Sequence, residues 1–290
     1  MRYGFMVVAA LLLGAGLIFW IAANWQALSS GARLGLIEVG LLGAMTTAYL
    51  MPRGRIAALF CAQLILGGLL AFIGQTYQTG ADAWQLFAGW ALLSLIWVVT
   101  ARSELLWTVW MIIAALALAL WTGPLGIMGV FSFERSPGLV STALTMITWL
   151  FLGLIPTLVN SVPWLATRQA PERWSHRVAL GMTLAAWTYQ AVASLFVTEG
   201  FSQAWLLAAF LVTTVTWLSL RGRCRDLLTH ACGLLAANVL LMALATRWLL
   251  RIVSDVSGLL LLGLLGMVCL GASATWLLRQ QKAFGRGEQG

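Results

Sequence analysis

Residues 56–73 read IAALFCAQLILGGLLAFI, a run of 18 residues without a single charged side chain. A helix of about 20 mostly apolar residues is long enough to cross the hydrocarbon core of a bilayer. Comparable runs recur along the chain, at residues 4–23, 34–51, 56–73, 83–100, 105–121, 139–159, 178–197, 204–220, 227–246 and 257–278. The sequence therefore predicts an all-α, polytopic membrane protein with about ten transmembrane helices.

The composition agrees with a chain that is solvated by lipid. Of its 290 residues, 61% are hydrophobic and only 9% are charged, whereas soluble proteins carry about 25% charged residues. The net charge of +8 could suggest a nucleic-acid partner, but such proteins cluster their basic residues on one face. Here the basic residues are scattered between apolar runs. We therefore expect the bilayer as a partner and no nucleic acid.

The basic residues also predict the orientation of the helices. Lysine and arginine accumulate on the cytoplasmic side of membrane proteins. Of the 17 basic residues, four fall in loops of one side: Arg33, Arg135, Arg247 and Arg251. The others fall on the opposite side: Arg2, Arg53, Arg55, Arg102, Arg168, Arg173, Arg177, Arg221, Arg223, Arg225, Arg279, Lys282 and Arg286. This predicts a multi-pass inner-membrane protein with both termini in the cytoplasm.

A polar stretch divides the chain into two groups of predicted helices. Residues 160–177 contain two prolines and three arginines and resemble a cytoplasmic linker. The first six helices then occupy residues 1–159. The last four helices and a short cytoplasmic tail occupy residues 178–290.

Three short motifs stand at predicted outer helix ends. They are Ala-Asn-Trp at 23–25, Gly-Gln-x-Tyr at 74–77 and Asp-x-Trp-x-Leu-Phe at 82–87. With these motifs, residues 1–120 resemble the domain-of-unknown-function family 2157, a group of predicted bacterial membrane proteins. The resemblance implies a membrane location, and it implies no substrate, cofactor or reaction.

The polar and aromatic residues of these motifs are candidates for a recognition surface. Tryptophan and tyrosine gather at membrane interfaces in any case, and Asp82 stands where a helix N-cap is expected. Exposed loops also carry function more often than cores do. The candidates at this edge are Asn24, Trp25, Gln75, Tyr77, Gln78, Asp82 and Trp84.

Glu38 is the one acidic residue that falls clearly inside a predicted span, four residues from its start. An ionisable residue within a membrane helix suggests function by default. Two interpretations are open for Glu38. Its carboxylate could pair with Arg33 near the helix start, or it could bind a proton or a ligand.

Three amides lie deep in predicted helices: Gln63, Gln190 and Asn238. Small and amide side chains on one helix face commonly bond neighbouring helices, at about 1 kcal/mol or less for each bond. The alternative is that these amides line a polar cavity for a solute.

The sequence offers no recognisable catalytic machinery. It has no Walker-type phosphate loop and no HExxH pattern. Its two histidines, His176 and His230, fall near the predicted cytoplasmic face. The spacing of Cys224, His230 and Cys232 scatters them around a helix axis. We therefore expect no enzyme activity, no metal and no cofactor.

Two functional hypotheses of different classes remain. The first is a non-catalytic membrane subunit or assembly protein that binds another membrane or envelope protein. The second is a transporter or channel for a small neutral or weakly polar solute. A faint repeat between residues 16–26 and 68–78 favours the second, because transporters are often built by duplication.

Overall fold

A computed structural model describes residues 2–77, 82–123, 139–163, 166, 174–197, 203–221, 226–252 and 256–286 of the chain. In these residues the regular structure is entirely helical. The ten helices are α1 (Arg2–Ala23), α2 (Ser30–Leu50), α3 (Arg55–Tyr77), α4 (Ala83–Ala101), α5 (Glu104–Thr122), α6 (Leu139–Ser161), α7 (Trp174–Val197), α8 (Gln203–Leu218), α9 (Leu227–Ile252) and α10 (Val256–Arg286). Each coincides with one predicted span, so the all-α prediction is confirmed.

Most of these helices have the length and composition of membrane spans. Within the described residues, eight are long and apolar enough to cross a bilayer. The exceptions are α2, which carries Arg33 and Glu38, and α8, which has 16 residues. The chain is an integral, multi-pass membrane protein.

The chain forms two compact units, the first comprising residues 1–121 and 154–179 and the second residues 122–153 and 180–290. The helices α6 and α7 each contribute residues to both units. The division of the chain into the first six and the last four helices, predicted from the linker, stays a prediction. At the predicted linker, α6 continues to Ser161 and α7 begins at Trp174.

In the first unit, α1 and α3 run parallel, with α2 antiparallel to both. Gly14 of α1 lies against Leu64 of α3, and farther along α1, Ile18 lies against Gly68. The contacts of α2 run in the opposite sense, because its Gly40 meets Leu17 while Arg33, nearer its start, reaches Trp25. Since α1 and α3 are both candidate spans, α2 must carry the chain back across the membrane between them.

Close packing between α3 and α4 depends on a glycine. A Cβ atom at Gly67 would lie 2.5 Å from Cζ2 of Trp90. This approach lets the indole N–H of Trp90 donate to the backbone carbonyl of Gln63 at 2.7 Å. The next helix is joined in the same way, because Trp110 of α5 donates to the carbonyl of Ala91 at 2.8 Å. Tryptophan donors therefore bond three successive helices.

In the second unit, similar bonds join the described helices. Trp187 of α7 donates to the carbonyl of Met146 in α6 at 3.0 Å. The helices α8 and α9 approach closely where Gly233 meets Thr216. The helix α9 also packs against α10, a helix of 31 residues. Much of α10 is exposed apolar surface, as expected for side chains that face lipid.

Candidate functional site

The end of the first unit at which α1 finishes carries the Ala-Asn-Trp motif, and its side chains are engaged in structure. Asn24 donates from Nδ2 to the carbonyl of Trp20 at 2.8 Å. The Trp25 ring lies 6.0 Å from that of Phe72. The Arg33 guanidinium stacks over Trp25, 4.0 Å from the ring centroid, and also donates to its carbonyl. The motif thus fixes the turn from α1 to α2 against α3.

Glu38 lies on α2 with its side chain exposed. One of the two interpretations left open from the sequence paired this carboxylate with Arg33. Arg33 is instead directed to Trp25, and no ion pair joins it to Glu38 among the described residues. Glu38 is eight residues beyond Ser30, which is about 12 Å along the helix. The carboxylate therefore stands deeper along its helix than the predicted span placed it, and on an open face.

Gln63 is the most deeply buried of the candidate residues, with 0% of its surface exposed. Neither its amide nitrogen nor its amide oxygen has a hydrogen-bond partner in the described part of the chain. A buried polar group without a partner costs about 1–3 kcal/mol. The interpretation of Gln63 as simple interhelical glue is therefore not supported by its side chain, although its backbone carbonyl does bind Trp90.

The remaining candidates of the family motifs are only partly described. Gln75 is exposed near the end of α3, and Trp84 is half-buried in the first turn of α4. Asp82 occupies the N-cap position of α4, but its side chain makes no capping hydrogen bond. The side chain of Tyr77 and all of Gln78 lie outside the described residues. The recognition surface predicted at this edge stays a prediction.

The two candidate amides of the second unit have different surroundings. Asn238 of α9 donates from Nδ2 to Ser273 Oγ of α10 at 2.9 Å, which is the interhelical bond that the simpler interpretation expects. Gln190 is half-buried on α7. Gln63 belongs to the other compact unit.

A buried carboxylate at the start of α5 was missed from the sequence. Glu104 is 5% exposed, and its Oε1 accepts from the backbone N–H of Ser175 at 2.8 Å and from Ser175 Oγ at 2.7 Å. Because Ser175 lies in the first turn of α7 and Glu104 begins α5, the carboxylate lies at two helix N-termini, where negative charge is stabilised. An acidic residue directly before a predicted span was the available signal, but its partner Ser175 lies 71 residues away.

Beside Glu104, Arg102 holds the segment that follows α6. Arg102 adopts a left-handed conformation with φ of 52° at the end of α4. Its guanidinium donates to the carbonyl of Ala166 at 2.7 Å and to that of Pro163 at 2.8 Å. Arg102 therefore ties the α4–α5 turn to the stretch that leads toward α7.

His230 forms a second buried polar group, at the junction of α8, α9 and α10. The indole N–H of Trp276 donates to its Nε2 at 3.1 Å. Because an indole can only donate, Nε2 must accept and the ring proton lies on Nδ1. That atom is 3.0 Å from the carbonyl of Thr216 and 3.1 Å from Ser219 Oγ. The 2% exposed imidazole therefore joins three helices.

The cysteine and histidine pattern considered for a metal is only partly described, because Cys224 lies outside the described residues. In the part of the chain that is described, no three His, Cys, Asp or Glu side chains are placed to hold a metal ion. The nitrogens of His230 are also both engaged by other residues.

The helices, their lipid-facing surfaces and their tryptophan bonds define a polytopic α-helical membrane protein. Within that class, residues 2–107 match the family model described as predicted membrane protein (DUF2157). The match covers α1 to α4 and the first turn of α5, and it confirms the resemblance predicted from the three motifs. None of the curated proteins matches the chain. The solved structures contain no match either.

Proposed function

We propose that the protein is a non-catalytic subunit or assembly protein of a bacterial inner membrane, which binds another membrane protein. The observation that carries this proposal is the exposed carboxylate of Glu38 on α2. The free-energy cost of inserting a charged residue at the centre of a membrane helix is about 2.5–3.5 kcal/mol, and the cost is smaller nearer the membrane surface. A neighbouring protein that covers Glu38 with a donor or a cation offsets this cost.

The orientation is part of the same proposal. The distribution of arginine and lysine supports both termini in the cytoplasm. With that orientation, the Trp25–Arg33 contact lies at the outer surface, and Glu38 stands in the outer half of the membrane. Its partner is then a protein whose membrane helix offers polar chemistry at the same depth.

The proposal is tested by isolating the tagged chain from its native membranes in a mild detergent. We expect it to copurify with one other membrane protein in a fixed ratio, and to lose that protein when Glu38→Gln is introduced. Repeated recovery of the chain alone, as one monodisperse species, would contradict the proposal.

A transporter or channel for a small neutral solute is the second candidate, and the unpaired amide of Gln63 favours it. The purified chain reconstituted alone in lipid vesicles separates the two. If the protein is a non-catalytic subunit, the permeability of these vesicles to glycerol and urea should equal that of protein-free vesicles. The transporter hypothesis expects a flux of such solutes that Gln63→Leu abolishes.

A further inference from the structure

The face of α2 that carries Glu38 has a regular pattern. Residues separated alternately by four and three positions lie along one side of the helix and are exposed, apart from the half-buried Gly35. They are Gly31, Gly35, Glu38, Leu42, Met45 and Tyr49; together we call them the α2 seam. Spacing of this kind repeats every 3.5 residues and is the pattern by which one helix packs lengthwise against another. The buried residues Ile37 and Ala48 lie about 100° around the helix axis from the centre of the seam.

The glycines of the seam are not used inside the protein. A Cβ atom at Gly31 or at Gly35 would meet nothing within 4 Å, whereas one at Gly40, on the inner side of the same helix, would lie 2.5 Å from Leu17. Two small residues four positions apart allow a second membrane helix to approach closely. Beyond Glu38 the seam becomes bulky and outward-facing, with Leu42 66% and Tyr49 86% exposed.

We infer that the α2 seam binds a transmembrane helix of a different protein, one that carries an arginine or lysine at the depth of Glu38. The inference rests on the proposed function and names the surface and the chemistry of its partner. The charge of Glu38 favours a partner with a basic residue, because a cation within about 4 Å interacts with a carboxylate far more strongly beside a protein in lipid than in water. Arg33, five residues nearer the helix start, stacks on Trp25 and does not supply this cation.

A second copy of the chain is the wrong occupant for this surface. Two copies inserted in the same orientation would pair their α2 helices about an axis normal to the membrane, since closed dimers bring identical patches together. The two Glu38 side chains would then meet at one depth as like charges. A partner with a basic residue removes this repulsion.

The test places a photo-crosslinking amino acid at Leu42 in the full chain, in native membranes. We expect one adduct, whose crosslinked peptide maps to an apolar helix of another protein that contains arginine or lysine. Its yield should fall at least tenfold with Glu38→Gln. It should not fall with the control Thr47→Ala, which changes an exposed polar side chain on the side of α2 away from the seam. Glu38→Lys combined with the partner's basic residue changed to glutamate should restore the adduct.

Other outcomes overturn the inference, and they separate it from the proposed function. Adducts between two copies of this chain, or a yield that ignores Glu38→Gln, reject the seam as the binding surface. The same photo-crosslinking amino acid placed at Leu92 of α4, a residue that is 70% exposed, serves as the comparison with Leu42. A protein adduct at Leu92 alone leaves the subunit proposal standing and removes the seam. Absence of any protein adduct at both positions rejects both.

Discussion

Two acidic residues show how differently the same side chain behaves at two positions of this fold. Glu104 is buried and accepts two hydrogen bonds from Ser175, so its charge is compensated within the chain. Glu38 is exposed and has no such compensation among the described residues. The first stabilises the fold, and the second is available for recognition.

Substitution of Glu104 should therefore destabilise the protein. Glu104→Ala removes an acceptor at two helix N-termini, and hydrogen bonds to a charged group contribute about 1.5–3 kcal/mol each. We expect a loss of about 2 kcal/mol or more in the free energy of unfolding. The measurement is thermal unfolding in detergent.

Two control variants locate that effect. Ser175→Ala keeps the backbone N–H bond and loses only the hydroxyl bond, so its loss should be smaller. Glu38→Gln changes an exposed side chain and should leave the unfolding temperature unchanged. An equal decrease in all three variants would show that the Glu104–Ser175 contact has no special role.

At the scale of helix pairs, the contact of α3 with α4 depends on the missing side chain of Gly67. A methyl group there would displace the Trp90 ring and weaken its bond to the Gln63 carbonyl. Overpacking of this kind costs about 1–3 kcal/mol. We predict that Gly67→Ala lowers the free energy of unfolding by this amount in a detergent unfolding titration.

The matched control is Gly16→Ala on α1, because a Cβ at Gly16 meets nothing within 4 Å. This variant should be as stable as the parent. In a chain that already carries Trp90→Leu, the Gly67→Ala substitution should cost much less. If Gly67→Ala lowered the free energy of unfolding by the same amount in the Trp90→Leu background, the destabilisation would not come from contact with the Trp90 ring.

The positions of the helices could be predicted from the sequence, but the faces they present could not. Hydropathy reports which segments leave water, and all ten predicted spans coincide with helices. In a membrane protein, however, both the buried side and the lipid-facing side of a helix are apolar. Hydropathy therefore does not distinguish the buried face that carries Gln63 from the exposed face that carries Leu42. Of the two interpretations left open for Glu38, the pair with Arg33 is not formed, because Arg33 stacks on Trp25.

For the whole molecule, the charge distribution makes a prediction about sidedness. Reporter fusions after residue 221, near the end of α8, and after residue 286, at the end of α10, should both report a cytoplasmic location. A fusion after residue 28, between α1 and α2, should report the outer side. The expected result follows from the arginines at the first two positions. An outer location for residue 221 would invalidate the proposed orientation.

The unequal lengths of α8 and α10 have a consequence for the surrounding lipid. The 16 residues of α8 span about 24 Å and the 31 residues of α10 about 46 Å, against a hydrocarbon thickness of about 30 Å. We therefore expect the bilayer to thin beside α8, and α10 to lean or to emerge into the headgroups, where the long stems of Arg279 and Lys282 can extend toward phosphate. Bilayers of thinner lipids should thus relieve the strain around α8 while increasing the tilt of α10.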